Sequence, residues 1–366
     1  MVWEPRVRIL HVVDSLRMGG AEVLLDSMFP LLLRRGIECE FYLLHSGNTP
    51  LEQSLSGRGA TLHSPLRSSV YAPNHVWALV RHLRKHHYDL VHSHLFPAQL
   101  WTALAVKAAG FSAPLLTTEH STANRRRIAG YRPLDRWMYR QYHAIACISG
   151  AVQDSLRSWI PETERKLRLC PNGINTAKFS AQTGRKKETF GVSKENVILS
   201  VGRLQPGKGH DVTMRALALV PEAHLFLAGS GPELEELRGL AADLGIANRV
   251  HFLGIRNDID RLMTSADVLV QASRWEGFGI AALEALAAEV PVIASRVPGL
   301  SDVIGDAGLL FEVGDHKALA AHIENVLSNP DLRNSLKHKG RIRAVEFDIE
   351  RTVDCYEALY REACCA

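Results

Sequence analysis

Two successive series of strand-like and helix-like segments, with one break, constrain this chain more than any other feature. In the first series VRILHVV, ECEFYLL, YDLVHSH, PLLTTEH and HAIACIS are short, nearly continuous apolar runs. Between them lie amphipathic stretches such as AEVLLDSMFPLLLRRG, HVWALVRHLRKHH, PAQLWTALAVKAAG and RPLDRWMYRQYH. After the polar stretch NTAKFSAQTGRKKETFG the pattern restarts with NVILSVG, AHLFLAG, RVHFLG, DVLVQAS, PVIAS and GLLFE, separated by further helical periods. Runs of this length without strict polar alternation are strands buried on both faces. Alternation of β and α then dictates parallel sheets covered by helices, here in two α/β domains of Rossmann type joined near residues 172–195. The last segment, DIERTVDCYEALYREACCA, repeats Val353, Tyr356, Leu359, Tyr360 and Ala363 at helical intervals, so one face of it must pack.

Composition narrows the class. At 366 residues, 46% hydrophobic and 22% charged, the chain is globular and large enough for two domains. No apolar run approaches the ~20 residues that span a bilayer. The opening MVWEPRVRILHVVD has no cleavage-site pattern behind it, which argues against a signal peptide and for a cytoplasmic location. Cys39, Cys147, Cys170, Cys355, Cys364 and Cys365 are scattered, with no CxxC pair and no zinc-ligand spacing, so neither disulfides nor a metal are expected. The net charge of +4 is uneven: residues 1–172 hold 21 Lys+Arg against 13 Asp+Glu, and the remainder 22 against 26. A basic first half suits phosphate or an anionic membrane surface. With no nucleic-acid motif and little aromatic interleaving, nucleic acid is not the expected partner.

In open parallel sheets ligands sit beyond the carboxyl ends of the strands, and there the glycine-rich signals cluster. DSLRMGGAE places Gly19 and Gly20 between a strand and a helix, either as a tight turn or as an anion-binding backbone at a helix N-terminus. SVGRLQPGKGHD nearly completes the phosphate-loop pattern G-x-x-x-x-G-K-[ST], but Gly209 stands where a Mg²⁺-binding hydroxyl belongs. That argues against an ATPase or kinase and leaves Arg203 and Lys208 as two cations for a diphosphate leaving without metal. LAGSGPELEEL has only part of a dinucleotide fingerprint, Leu234 occupying the third glycine position.

The most informative stretch is SRWEGFGIAALEALAA. Glu276 precedes Gly-Phe-Gly, and Glu284 follows eight residues on among small apolar neighbours. The glycines free the N–H groups of Phe278, Gly279 and Ile280 for a ligand. A carboxylate accepts two hydroxyl donors at once, as a sugar diol requires, and the two glutamates can hold opposite ends of one elongated molecule. The plainer alternative is a helix-start acid plus a solvent-facing glutamate.

Taken in order, GGAE, ISGAV, PNGIN, VGRLQPGKG, LAGSGP, HFLG and EGFGIAALEALA resemble the retaining glycosyltransferases of family 4, which have the GT-B fold of two Rossmann-like domains facing across a cleft. The resemblance covers nearly the whole chain. It implies an N-terminal acceptor-side domain at 1–172, a nucleotide-sugar domain at 173–347 and a terminal helix at 348–366 that crosses back onto the first. It also implies that Glu276 holds the transferred sugar, Glu284 the nucleotide ribose, and Arg203 and Lys208 the diphosphate. Gly19 and Gly20 would close over the phosphates, and Arg256 would meet the base through its backbone. His120, at the end of LLTTEHST, would lie beside the donor sugar. Ser301-Asp302 and Asn175 depart from the family's usual Pro-Glu and Asp.

The implied activity is transfer of a hexose-type sugar from a nucleoside-diphosphate donor, by default a UDP-sugar with GDP- and ADP-sugars open, to an acceptor hydroxyl with retention and without metal or other cofactor. The acceptor would be a saccharide or a lipid-linked saccharide in surface polysaccharide or glycolipid assembly. The stretch TANRRRIAGYRPLDRWMYR interleaves arginines with Tyr131, Trp137 and Tyr139, which suits either peripheral contact with anionic lipid or a solvated basic face with aromatic anchors. Three rival readings stand beside this one: a sugar-nucleotide epimerase, a dinucleotide-dependent oxidoreductase, whose fingerprint is incomplete here, and a non-catalytic sugar-nucleotide-binding partner.

Overall fold

A computed structural model describes residues 7–17, 19–64, 68–122, 127–180, 187–192 and 196–365. The chain forms two compact units, one of residues 1–173 with 349–366, the other of residues 174–348.

The first unit is built on seven strands: β1 (Val7–Val13), β2 (Ile37–Leu43), β3 (Thr61–His63), β4 (Leu90–His94), β5 (Leu115–Glu119), β6 (Ala144–Cys147) and β7 (Leu167–Leu169). Their order is β3-β2-β1-β4-β5-β6-β7, and every pairing is parallel. Burial on both faces is clearest in β1, where Ile9, Leu10, Val12 and Val13 are all buried. His11 interrupts the same run and is equally buried, a polar ring in the middle of a core strand. The expected strands are present. The structure adds β3 and β7, edge strands of three residues, too short to show a period in the sequence.

The terminal helix, Ile349–Cys365, completes this unit. Ile349, Val353, Tyr356, Leu359 and Tyr360 enter the same core as Ile9, Phe41 and Leu116. Full burial of each such side chain stabilises by about 1.5–3 kcal/mol, so this face alone outweighs the helix's surface ion pairs. Arg35, which caps the helix Gly20–Arg34, bonds Glu350 at 2.7 Å and Glu357 at 2.9 Å along its exposed side.

The second unit carries β8 (Asn196–Val201), β9 (Ala223–Ala228), β10 (Val250–Gly254), β11 (Val268–Gln271), β12 (Val292–Ser295) and β13 (Leu309–Phe311), in the order β10-β9-β8-β11-β12-β13 and again all parallel. Two helices not read from the sequence, Pro298–Ile304 and Pro330–Val345, both begin at a proline, which suits a first helical position. The segments entering and leaving this unit are held together: Ile174 N–H donates to Phe347 O at 3.1 Å, and Thr176 bonds the Asp348 carboxylate. No helix among the described residues is long and apolar enough to cross a membrane.

Candidate functional site

In each sheet the strand order reverses direction once, between β1 and β4 and between β8 and β11. At such a point the loops leaving two adjacent strands diverge to opposite faces and open a crevice. In the second unit those loops are 202–209 after β8 and 272–279 after β11, which contain Arg203, Lys208 and Glu276. Topology therefore brings together residues that lie 68 positions apart in the case of Lys208 and Glu276.

The two loops meet backbone to backbone. Gly209 has a φ of +64°, and a Cβ there would come 2.0 Å from the Ala272 carbonyl oxygen. No side chain fits, which explains why the phosphate-loop hydroxyl is missing. A Cβ on Gly229 would meet Gly202 O at 1.9 Å, so the LAGSGP loop presses on VGRL in the same way. Arg274 N–H donates to Gly207 O at 2.8 Å, and its guanidinium reaches Asp211 at 2.7 Å. The half-exposed Trp275 ring covers Gly207, leaving no room for a Cβ on that glycine. Buried His210 bonds the Arg203 carbonyl at 3.3 Å, and burial lowers its pKa to about 4, so it anchors the loop as a neutral ring.

On this frame Lys208 Nζ donates to Glu276 Oε2 at 2.6 Å, with both side chains largely buried. Glu276 Oε1 accepts the Gly277 N–H at 3.2 Å, and Ser273 Oγ stands 3.5 Å from Oε2. Ser273 is in turn held by Gln271 at 3.3 Å, and Ser295 donates to its carbonyl. The Arg203 side chain is exposed, and among the described residues its guanidinium has no ion-pair partner. The Arg256 guanidinium closes on Asp258 at 2.8 and 2.6 Å, leaving its backbone as the part free for a ligand.

Gly279 starts the helix Ile280–Ala287 from a φ of +98°, with Leu300 against its α-carbon. The first N–H groups of a helix have no partner within it, and the helix dipole adds positive potential there. Phe278 is a core residue whose ring meets Phe347 edge-on at 5.5 Å, so only its backbone is available. Glu284 lies one turn into the helix and is partly buried; its apolar surroundings raise its pKa to about 7, opposed by Lys178 and reinforced by Asp260.

In the first unit Gly19 caps the helix Gly20–Arg34, and a Cβ on it would meet the Glu22 carboxylate at 2.5 Å. At the switch point of this sheet Asp14, after β1, accepts the Ala98 N–H, after β4, at 2.8 Å. His120 follows β5, with Nε2 3.4 Å from His94 Nδ1, while its buried Nδ1 has no protein partner among the described residues. In the basic stretch Ala123–Arg126 lie outside the described residues. Of the others, Arg136 pairs with Glu162 at 2.8 Å, Arg132 donates to the Trp159 carbonyl at 3.0 Å, and Tyr139 is a core anchor bonded to Glu119 at 2.7 Å. Exposed apolar groups there are Ile128 and Tyr131.

Sequence reasoning missed Ser273, Gln271, Trp275, His210 and Lys178. Only Trp275, next to Glu276, carried a signal that could have been used. It also missed the grouping of His11, His92 and His94, whose ring nitrogens lie within 4.8 Å of one another. The alternation in VHSH, which puts both of its histidines on one sheet face, was the available clue.

Two units, each a parallel sheet with its loops at a switch point, are the architecture of the GT-B glycosyltransferases. Residues 18–178 match the family described as Glycosyltransferase Family 4, and residues 182–343 match Glycosyl transferases group 1. The chain belongs to these family 4, group 1 glycosyltransferases. It is 32% identical over 60% of its length to the lipopolysaccharide core biosynthesis glycosyltransferase LpsE of Rhizobium meliloti, of which 64% is covered. It is 28% identical to a D-inositol 3-phosphate glycosyltransferase of Saccharomonospora viridis, over all of this chain and 96% of that one. Among solved structures it is similar to Anabaena Alr3699/HepE in complex with UDP and glucose, with a TM-score of 0.86, 23% identity, and coverage of 97% of this chain and 100% of the other.

Proposed function

We propose that this glycosyltransferase moves a hexose-type sugar from a UDP-sugar to a hydroxyl of a saccharide or lipid-linked saccharide, with retention and without a metal. The observation that carries this reading is the Lys208–Glu276 pair, a cation and a carboxylate 2.6 Å apart where two loops meet through glycines that admit no side chain. Lys208 and Arg203 take the diphosphate, and the helix N-terminus at Gly279–Ile280 adds N–H donors and dipole potential as charge grows on the departing phosphate. Glu276 accepts hydroxyls of the transferred sugar, and Glu284 the ribose diol. The backbone at Arg256 lies beside the base, Gly19 and Gly20 close over the phosphates, and His120 bonds a hydroxyl of the donor sugar. The leaving diphosphate takes the acceptor proton on the face it vacates.

UDP is the donor base we favour because the structurally similar HepE is seen with UDP and glucose. Surface glycolipid or polysaccharide assembly is favoured by the likeness to LpsE. Peripheral contact with an anionic membrane is assigned to Ile128 and Tyr131, exposed beside Arg132.

Thermal shift in EDTA with UDP, GDP, ADP, their sugar conjugates and NAD tests the donor. Ligand at ~100 times its dissociation constant adds roughly 2.7 kcal/mol of stability. A rise with uridine nucleotides alone supports the reading; a rise only with NAD, or only once metal is restored, rejects it. NMR of the product's anomeric proton tests retention, and sugar-nucleotide conversion without any acceptor would instead identify an epimerase.

A further inference from the structure

Buried beneath the terminal helix, the first unit holds histidines that no role assigned above uses. His11 and His92 are register partners on β1 and β4, and His94 lies two residues on, so all three project from one sheet face. His11 Nδ1 is 3.0 Å from His94 Nε2, and His94 Nδ1 is 3.4 Å from His120 Nε2. His92 stands apart from this line, because both of its nitrogens are engaged: Nδ1 with Tyr360 Oη at 2.9 Å and Nε2 with Thr118 Oγ1 at 2.8 Å. A metal held by His11, His92 and His94 would have to break one of those bonds, whereas a hydrogen-bonded row needs no rearrangement.

Burial pushes all of these rings well below the usual histidine range, His11 to about 3 and His120 to about 4, so they are neutral at neutral pH. A neutral imidazole carries one N–H, and each nitrogen–nitrogen contact needs one donor and one acceptor. Only two arrangements of the row satisfy both contacts. If His94 carries its proton on Nε2, it donates to His11, His120 must donate from Nε2, and His120 Nδ1 is a bare acceptor. If His94 carries it on Nδ1, both neighbours are reversed and His120 Nδ1 becomes a donor. Any mixed pattern leaves a buried ring nitrogen without a partner, which burial makes costly.

We propose that His94, backed by His11, is a positioning residue that sets the tautomer of His120, so that the three rings act as one unit and present His120 Nδ1 to a ligand hydroxyl as a single kind of hydrogen-bonding group. The geometry supports this at the free end, where Nδ1 is buried with no protein partner among the described residues. The ligand chemistry rests on the reading above that His120 faces the donor sugar; the coupling of the rings does not.

The test is long-range ¹H–¹⁵N NMR of the full chain with ¹⁵N-labelled histidine, which separates protonated from bare ring nitrogens. In the wild type the three rings are expected to show one of the two coupled patterns. A mixed pattern, such as His94 protonated on Nε2 with His120 protonated on Nδ1, overturns the proposal without any variant. His94→Phe keeps a ring but removes both nitrogens; His120 should then average between tautomers, with turnover falling about tenfold and the donor KM little changed. Unchanged His120 shifts in His94→Phe overturn the proposal, as does Zn²⁺ shifting His11, His92 and His94 together in the wild type. His120→Ala at near wild-type turnover would remove the sugar-facing role while leaving the wild-type NMR pattern to decide the coupling.

Discussion

Lys208 Nζ and Glu276 Oε2 lie 2.6 Å apart, joining the loop after β8 to the loop after β11 in one ion pair. Each group partly cancels the charge that the other would show to a ligand. On the proposed reading, the diphosphate and the sugar therefore meet a coupled pair rather than two independent residues.

That coupling separates binding from turnover. Glu276→Gln keeps the shape of the side chain but releases Lys208 from a carboxylate. Turnover is expected to fall about 100-fold as the sugar loses its positioning. UDP affinity, measured by calorimetry, should hold or tighten. A parallel loss of both would show that Glu276 serves the nucleotide rather than the sugar.

Arg203 is the more exposed cation of the two. Its replacement by Ala should weaken UDP by about 10-fold or more, the equivalent of one charge-assisted hydrogen bond at ~1.5–3 kcal/mol, and leave uridine untouched. Combining it with Lys208→Ala should deepen the loss. Equal weakening of uridine and UDP in calorimetry would take both residues off the phosphates.

Gly209→Ser would complete the phosphate-loop pattern on paper. In the fold it forces a Cβ onto the Ala272 carbonyl, 2.0 Å away, from a backbone at φ +64°. The variant is expected to lose about 1–3 kcal/mol of stability and to gain no Mg²⁺-dependent nucleotide binding. A variant as stable as the wild type by thermal melting would mean that the two loops do not meet this closely.

Glu284 has its folded pKa raised from 4.5 to about 7. Between those values the folded state holds the proton more tightly than the unfolded state, so this group's contribution to stability falls as pH rises through the window. Glu284→Gln should therefore melt higher than wild type at pH 8, by about 1–2 kcal/mol once partial exposure is discounted, and no higher at pH 4. The same variant should bind UDP more weakly. If the ribose is held by the carboxylate, wild-type UDP affinity rises with pH through about 7; a flat profile from pH 5 to 8 would remove Glu284 from the ribose.

Much of this molecule is legible in its residues because buried parallel strands leave apolar runs and switch-point loops leave glycines. Thus β1, β8 and β11 could be read directly, and with them Arg203, Lys208 and Glu276. What could not be read is which distant residues touch. Glycine at 209 is visible as an absent hydroxyl, but its cause, the carbonyl of Ala272, lies on another strand's loop. Glu284 stood out through its greasy neighbours, whereas Lys178, which opposes its pKa shift, comes from a short helix over 100 residues earlier. The alternation in VHSH puts His92 and His94 together at a strand end, but nothing local to β1 or β4 says that the nitrogens of His94 line up with those of His11 and His120.

The helix Ile349–Cys365 completes the core of the first unit, and the second unit, which precedes it, is closed at both ends by Ile174 and Asp348. Translation therefore delivers the halves out of order. On the ribosome the second unit has all its residues once Asp348 has emerged, whereas the first must wait, with one side of its sheet uncovered, for the seventeen-residue helix Ile349–Cys365 to arrive.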